Sequence, residues 1–367
     1  MKLKFLVAGL VGLSSLTTVA VKSHADSLDF SVEPTFPSTQ VANSQGYFNL
    51  LLKPGQTQEV DTKLTNNSDK AITVEVNFAR ATTANSGIAQ YQPSQNAADK
   101  SLTYDISKYV KYPKEVTIPA KAGAIVKAEV NMPSEAFKGE LAGGFTYQEK
   151  DSSGNQSSSA GVTVKNEFSY TIALVMQQSM DKVPAALNLN AVKADQSNGR
   201  NIITANLQNP AAAYLLKMNT QATVTGISDK SLKYTYNNSA MQMAPNSNFD
   251  LPIPVSITGN PNGQSSQPMK AGKYHLNMVV YGNPSAAGKY SQTVNGQTVK
   301  YDNKWTFDKD FEITAQKASS LNATDPTVKK SSTSMWIWIA AIIGIVIILL
   351  LIVIIIILIK KSKKEEK

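Results

Sequence analysis

The stretch that most constrains this chain is its last apolar run, residues 335–359. These 25 residues carry no charged side chain and are mostly Ile, Leu, Val and Ala. As a helix the run would be roughly 37 Å long, enough to cross a hydrocarbon core of about 30 Å with some tilt. Trp336 and Trp338 fall in its first turn, and indole rings favour the headgroup zone. Lys360, Lys361, Lys363, Lys364 and Lys367 follow, opposed only by Glu365 and Glu366, which reads as a cytoplasmic stop. A buried core helix is the competing reading, but soluble helices of this length are rarely apolar all round. The expectation is a single-pass protein of the cell membrane, its ectodomain outside and its C-terminus cytoplasmic.

The N-terminus agrees. Lys2 and Lys4 precede a run of apolar and small residues that extends to Val21. Ser23 and Ala25 then offer small side chains at the −3 and −1 positions of a cleavage site. Residues 1–25 are therefore expected to be a signal peptide removed after Ala25, with an uncleaved anchor as the alternative.

A formal net charge of +9 suggests a polyanion binder until its distribution is followed. The leader carries three of these charges on Lys2, Lys4 and Lys22, and the tail carries another three. About +3 remains over the ectodomain, whose lysines are scattered, so no nucleic-acid footprint is left. The chain has no cysteine, hence no disulfide framework and no thiolate chemistry. It has two histidines, and removal of the leader takes His24. A His-rich zinc site and any two-histidine mechanism are thereby excluded. His275 falls in a strand-like run, where a polar strand position is the simplest role.

From residue 26 the texture is all-β. The clearest case lies in 71–79, where Ile72, Val74, Val76 and Phe78 share one face and Thr73, Glu75 and Asn77 the other. Similar short runs follow at 115–118, 124–132, 144–148 and 162–176, punctuated by Pro119, Pro133 and Gly143-Gly144. This spacing suggests a β-sandwich. Residues 81–101 read as a long polar surface excursion, and 151–160, rich in Ser, as a flexible hairpin loop. A second strand series runs from 187 to 313. In it Asn295-Gly296 marks a hairpin, and Trp305, Phe307, Phe311 and Ile313 share a face. Residues 315–334 are polar and small, and read as a stalk of at most about 70 Å fully extended. The expected order is a first sandwich at 26–178, a second at 179–314, the stalk at 315–334, the membrane helix at 335–359 and a basic tail at 360–367. The fold class is an all-β ectodomain of two tandem Ig-like β-sandwiches plus one C-terminal transmembrane α-helix.

Phosphate loops, metal-ligand clusters and nucleophile elbows do not occur in the sequence. Ser179-Met-Asp-Lys182 fits Ser-x-x-Lys but has no companion motif and falls between the two strand series. No catalytic, metal-binding or cofactor-binding residue is nominated, and the chain reads as a non-enzyme needing no cofactor. Tyr91, Tyr104, Tyr109 and Tyr112 lie in or near the excursion and are the candidate ligand-binding residues, since exposed Tyr contacts sugars and proteins. Packing of these rings onto the sandwich is the alternative.

Taken in order, several segments resemble those of the WxL-interacting proteins of Gram-positive bacteria. In the first domain they are Phe30-Ser-Val-Glu-Pro34, Tyr47-Phe-Asn-Leu50, Lys53-Pro-Gly-Gln-Thr57, Leu64-Thr-Asn-Asn-Ser68, Pro113-Lys-Glu-Val-Thr-Ile-Pro119 and Phe137-Lys-Gly-Glu-Leu-Ala-Gly-Gly144. In the second they are Gly272-Lys-Tyr274, Trp305-Thr-Phe307 and Phe311-Glu-Ile313. No Trp-x-Leu triplet occurs, which fits the interacting partner, and no Leu-Pro-x-Thr-Gly signal precedes Met335. The resemblance implies a surface adaptor whose first domain binds peptidoglycan and whose ectodomain captures WxL-domain proteins, with host proteins as further partners. The lipid bilayer is engaged through the C-terminal helix, and no nucleic acid is involved. The rival reading is an adhesin acting mainly on host extracellular-matrix protein.

Overall fold

The computed structural model describes residues 30–94, 97–150, 157–159, 162–164, 169–257, 264–329 and 333–365. The expected signal peptide, and residues 151–156 and 160 of the expected flexible loop, lie outside them.

The first domain is built from β1 (Phe30–Thr35), β2 (Phe48–Leu51), β3 (Thr57–Asn66), β4 (Ile72–Arg80), β5 (Thr82–Thr83), β6 (Ala89–Gln90), β7 (Val110–Lys111), β8 (Glu115–Ile118), β9 (Gly123–Asn131), β10 (Glu140–Glu149), a small β11 (Ser157–Ser159) and β12 (Val162–Val164) pair, and β13 (Ser169–Gln177). One sheet runs β1-β3-β9-β7 and the other β2-β13-β10-β4-β8. The period-two pattern explains why they face each other. Val60, Thr62 and Leu64 of β3 and Val126, Ala128 and Val130 of β9 point inward, against Ile72, Val74, Val76 and Phe78 of β4. Each such aliphatic or aromatic burial contributes about 1.5–3 kcal/mol. Phe145 fills the centre, 4.7 Å from the Phe78 ring. Tyr147, also buried, donates its hydroxyl across the core to Thr62 Oγ1 at 2.9 Å. The Asn66 amide, 1% exposed, ties its turn to the end of β8 by donating to Lys70 O, Ile118 O and Pro119 O.

The second domain comprises β14 (Asn188–Ser197), β15 (Arg200–Asn209), β16 (Leu215–Gly226), β17 (Lys233–Met243), β18 (Ser247–Pro254), β19 (Gly272–Pro284), β20 (Tyr290–Val294) and β21 (Gln297–Ile313). The sheets β14-β15-β18 and β17-β16-β19-β21-β20 enclose Ile203, Leu207, Leu251, Met218, Leu276 and Met278. Asn295 and Gly296 both adopt positive φ (50° and 79°) between β20 and β21, the left-handed pair a two-residue hairpin turn demands. Trp305, Phe307 and Phe311 pack against the core from the face the sequence assigned them.

The expected stalk is corrected in its first half. α1 (Ala315–Thr324) is a helix, capped by Thr314 Oγ1, which accepts from Lys317 N, and Ala318 and Leu321 enter the core. Beyond it Asp325 is fully buried. Its carboxylate accepts from Asn201 N (2.9 Å), Ser256 Oγ (2.6 Å) and Thr327 N (2.8 Å), with Arg200 at 3.8 Å. Ser266 N donates to Thr327 O, and Val328 is buried. The segment looks linker-like because its composition is small and polar. Two apolar residues one turn apart suffice to dock it when the caps are satisfied. After Lys329 only three residues precede α2 (Thr333–Glu365), the one helix among the described residues long and apolar enough to cross a membrane.

The 81–101 segment is the second correction: it is not a free surface excursion but the junction between the domains. Ala81 N donates to Ala142 O, β5 pairs with β6, and the turn between them reaches the second sandwich. Thr83 Oγ1 lies 2.7 Å from Ser247 Oγ and accepts from Ala244 N at 3.0 Å. Gln242 N donates to Gly87 O at 2.7 Å and Glu140 N to Ala212 O at 2.7 Å. Asp99 accepts from Gln208 Nε2 and Asn248 Nδ2 of the second sandwich. Gly87 has φ +75°, and a Cβ there would strike the Met241 side chain, so no other residue fits this turn without displacement.

Asp325 sets a pH signature. Burial opposes its charge, but hydrogen bonds from Ser256, Thr327 and Asn201 outweigh that and hold its carboxyl at about 2. A carboxylate depressed on folding stabilises the native state above its unfolded pKa, and this contribution is lost as pH falls through the folded value. We expect Asp325→Asn to destabilise a 26–329 fragment by about 2 kcal/mol at pH 7, and its deficit to shrink as pH falls below about 4. Thermal unfolding of the two forms across pH checks this, and a deficit independent of pH would contradict it.

Candidate functional site

Where the junction meets the outer face of the β2-β13-β10 sheet, it leaves a cleft of about 670 Å³. Its floor is Asn49 from β2 and Thr171, Ala173 and Val175 from β13. One wall is the 89–92 segment with Tyr91, the other is Ala213, Tyr214, Leu216 and Gln242 of the second sandwich. Tyr47 and Glu140 complete it. The floor residues point outward because alternate residues of β13, Ile172, Leu174 and Met176, are claimed by the core.

The two domains hold the cleft open through aromatic contacts. Tyr91 lies against β10 at Gly144, where a Cβ would come within 2.8 Å of its ring. The Tyr91 and Tyr214 hydroxyls are 3.1 Å apart, and both rings pack with Ala81, Ala89 and Ala244. Burial pushes both phenols above their ordinary range, so they remain protonated donors at neutral pH. Glu140 is half-buried, and its Oε2 is sealed from solvent without a hydrogen-bond partner. Burial raises its pKa, opposed by a hydrogen bond from the Tyr214 backbone. Among the described residues no Lys, Arg or His lines the cleft. The surface is thus three phenols, several amides, one carboxylate and a few apolar side chains, a chemistry for neutral or cationic ligands rather than polyanions.

Of the four tyrosines singled out from sequence, the structure brings Tyr91 into this cleft and sets the other three elsewhere on the first sandwich. Tyr104 packs on Phe137 (5.5 Å) and Tyr109 (6.4 Å) and donates to Glu135 Oε2. Tyr112 meets Phe78 and Phe145, and its hydroxyl accepts from Phe78 N at 3.0 Å and Lys114 Nζ at 2.8 Å. Tyr47, Glu140 and Tyr214 were missed as cleft residues. Tyr47 and Glu140 sit within two of the segments that carried the family resemblance, a signal for the place though not for its chemistry. Tyr214 follows three alanines and gave none. His275 lies on the exposed outer face of β19, its Nδ1 2.6 Å from Asp310 and its Nε2 3.4 Å from Asp308, an ion pair that raises its pKa. No group of three or more His, Cys, Asp or Glu among the described residues could hold a metal.

Two family models match the chain. One, described as WxL Interacting Protein, peptidoglycan binding domain, covers residues 30–149, and the other, described as WxL Interacting Protein, host binding domain, covers residues 159–323. The second model's span includes β13, which the fold places in the first sandwich between β2 and β10. No curated protein matches. Solved structures that are similar include the E. coli chaperone DraB, 11% identical, covering 78% of this chain and 98% of that one with TM-score 0.26. The Pseudomonas aeruginosa CupB2 chaperone is 12% identical over 68% and 91%, TM-score 0.26. The PapD-like domain 7 of human CEP192 is 11% identical over 50% and 99%, TM-score 0.25. Scores this low carry no functional meaning. The two domain models, in order along one chain that ends in an apolar helix, describe a surface protein whose role is binding, and the chain belongs to the WxL-interacting protein family.

Proposed function

We propose that this chain is a membrane-anchored, non-enzymatic adaptor that holds peptidoglycan in the cleft between its two sandwiches and captures WxL-domain proteins at the cell surface. The observation that carries the reading is the composite cleft itself. Its floor and one wall come from the first sandwich, and Tyr214, Leu216 and Gln242 of the second close it. Tyrosine rings suit sugar faces and peptide bonds, the amides suit N-acetyl groups, and the lack of basic side chains disfavours anionic wall polymers. The C-terminal helix would anchor the chain, with the lysines from Lys360 onward on the cytoplasmic side. Direct contact with host matrix protein is the weaker alternative, because the second sandwich is tied so closely to that helix.

Co-sedimentation with isolated peptidoglycan tests the wall-binding part. The 26–329 fragment should pellet at both low and high salt, since screening reaches only charge attraction. Leu216, 46% exposed, tolerates substitution, and Leu216→Arg should abolish pelleting by filling and charging the cleft. Failure of the unaltered fragment to pellet at either salt would remove the wall-binding role. Pelleting of Leu216→Arg like the parent would move the ligand out of the cleft. For the second part, a purified WxL-domain protein should bind the same fragment, immobilised on a sensor surface, saturably, and no bound mass at any concentration would dismiss the capture role.

A further inference from the structure

The strand directions give the second sandwich two distinct ends. β15 runs from Arg200 to Asn209 and β18 returns from Ser247 to Pro254, so their Asn209 and Ser247 ends lie at the junction. Likewise Leu215 of β16 pairs with Met243 at the junction, whereas Gly226 pairs with Tyr274 at the opposite end. That opposite end is where α1 and Asp325 are docked, through Asn201 and Ser256. It is also where the chain leaves for α2. Residues 330–332 alone separate Lys329 from Thr333, and this connection spans at most about 14 Å.

The surface at this end has a consistent chemistry. Ile227 and Ile257 are exposed (37% and 38%), each just past the end of its strand. Lys230, Lys270 and Lys329, in the segments that gather at this end, are exposed too. Of the acids here, Asp229 pairs with Lys270 at 3.5 Å and Asp325 with Arg200 in the interior, while Glu312 is exposed opposite Lys273. Two exposed isoleucines and three exposed lysines at one end of the domain, a few residues before an apolar helix, match a lipid–water boundary. Isoleucine gains by entering the headgroup layer, and lysine stems snorkel toward phosphate.

We infer that this end of the second sandwich is a membrane-contact surface, with Ile227 and Ile257 entering an anionic leaflet while Lys230, Lys270 and Lys329 meet lipid phosphates. The inference rests on the reading of α2 as a membrane anchor. It fixes the second sandwich upright on the bilayer. Strands of ten residues, at about 3.3 Å each, then raise the junction and its cleft roughly 33 Å above the lipid surface.

The chain contains no cysteine, so single-cysteine variants carry one label each. The full-length protein, reconstituted in vesicles of anionic phospholipid, is labelled with a fluorophore at Ile257→Cys or, as a reference on the first sandwich, at Thr117→Cys. A quencher is carried on a minor fraction of the lipid. The label at 257 should be quenched several-fold more than the label at 117. The difference should shrink in zwitterionic vesicles, and in a Lys230→Glu, Lys270→Glu, Lys329→Glu background. Equal quenching at 257 and 117, in protein that resists an alkaline carbonate wash, would overturn the contact while leaving the anchor intact. Release of the protein by that wash would overturn the anchor, and the contact with it.

Discussion

The structure depends on a set of hydrogen bonds that no single domain satisfies. Thr83, Gly87 and Asp99 of the first sandwich supply acceptors to Ala244 N, Gln242 N, Gln208 and Asn248 of the second. Glu140 N is satisfied by Ala212 O in return. Each bond is worth about 1 kcal/mol net, but a buried donor or acceptor left unpaired costs about 1–3 kcal/mol. Separating the sandwiches would exchange these bonds for bonds to water and expose Ala81, Ala89 and Ala244, so the closed junction depends on all of them being satisfied together. Asp99 shows the coupling: burial disfavours its charge, yet the donors Ser101, Gln208 and Asn248 lower its pKa, and two of these three belong to the other domain.

That junction joins two domains around one cleft. Without it the outer face of β13 would be an open sheet, and Tyr91 and Tyr214 would not face each other. With it, a carboxylate, three phenols and a set of amides converge, with no cationic side chain among the described residues that line the cleft. At the other end of the second sandwich, α1 and the buried Asp325 consume most of what resembles a stalk. The second domain therefore continues almost to the start of the apolar helix, with little loose chain between them.

Much of this was legible in residue patterns. The alternation of Ile72, Val74, Val76 and Phe78 gave a strand and its buried face, because period two can bury only one side. Asn295-Gly296 gave a hairpin because both residues tolerate positive φ. The apolar run gave a helix long and apolar enough to cross a membrane, by length and composition. The junction was not legible. The partners Thr83 and Ser247 lie 164 positions apart, and segment 81–101 has no periodicity because its side chains serve contacts rather than a face. α1 was hidden because only Ala318 and Leu321 mark its inner side. Among the tyrosines, position in or near the 81–101 segment suggested four, but tertiary packing alone decided which of them lines the cleft with Glu140.

The central claim is that the two sandwiches form one unit through the 81–101 segment, and amide hydrogen exchange tests it most directly. The amides of Glu140, Gln242 and Ala244 donate across the junction rather than within their own sheets. If the junction is closed, they exchange as slowly as the amides of core residues Phe145 and Val224. Exchange at loop rates at all three, while Phe145 and Val224 stay protected, would mean that the sandwiches move independently and that the cleft is not a fixed site.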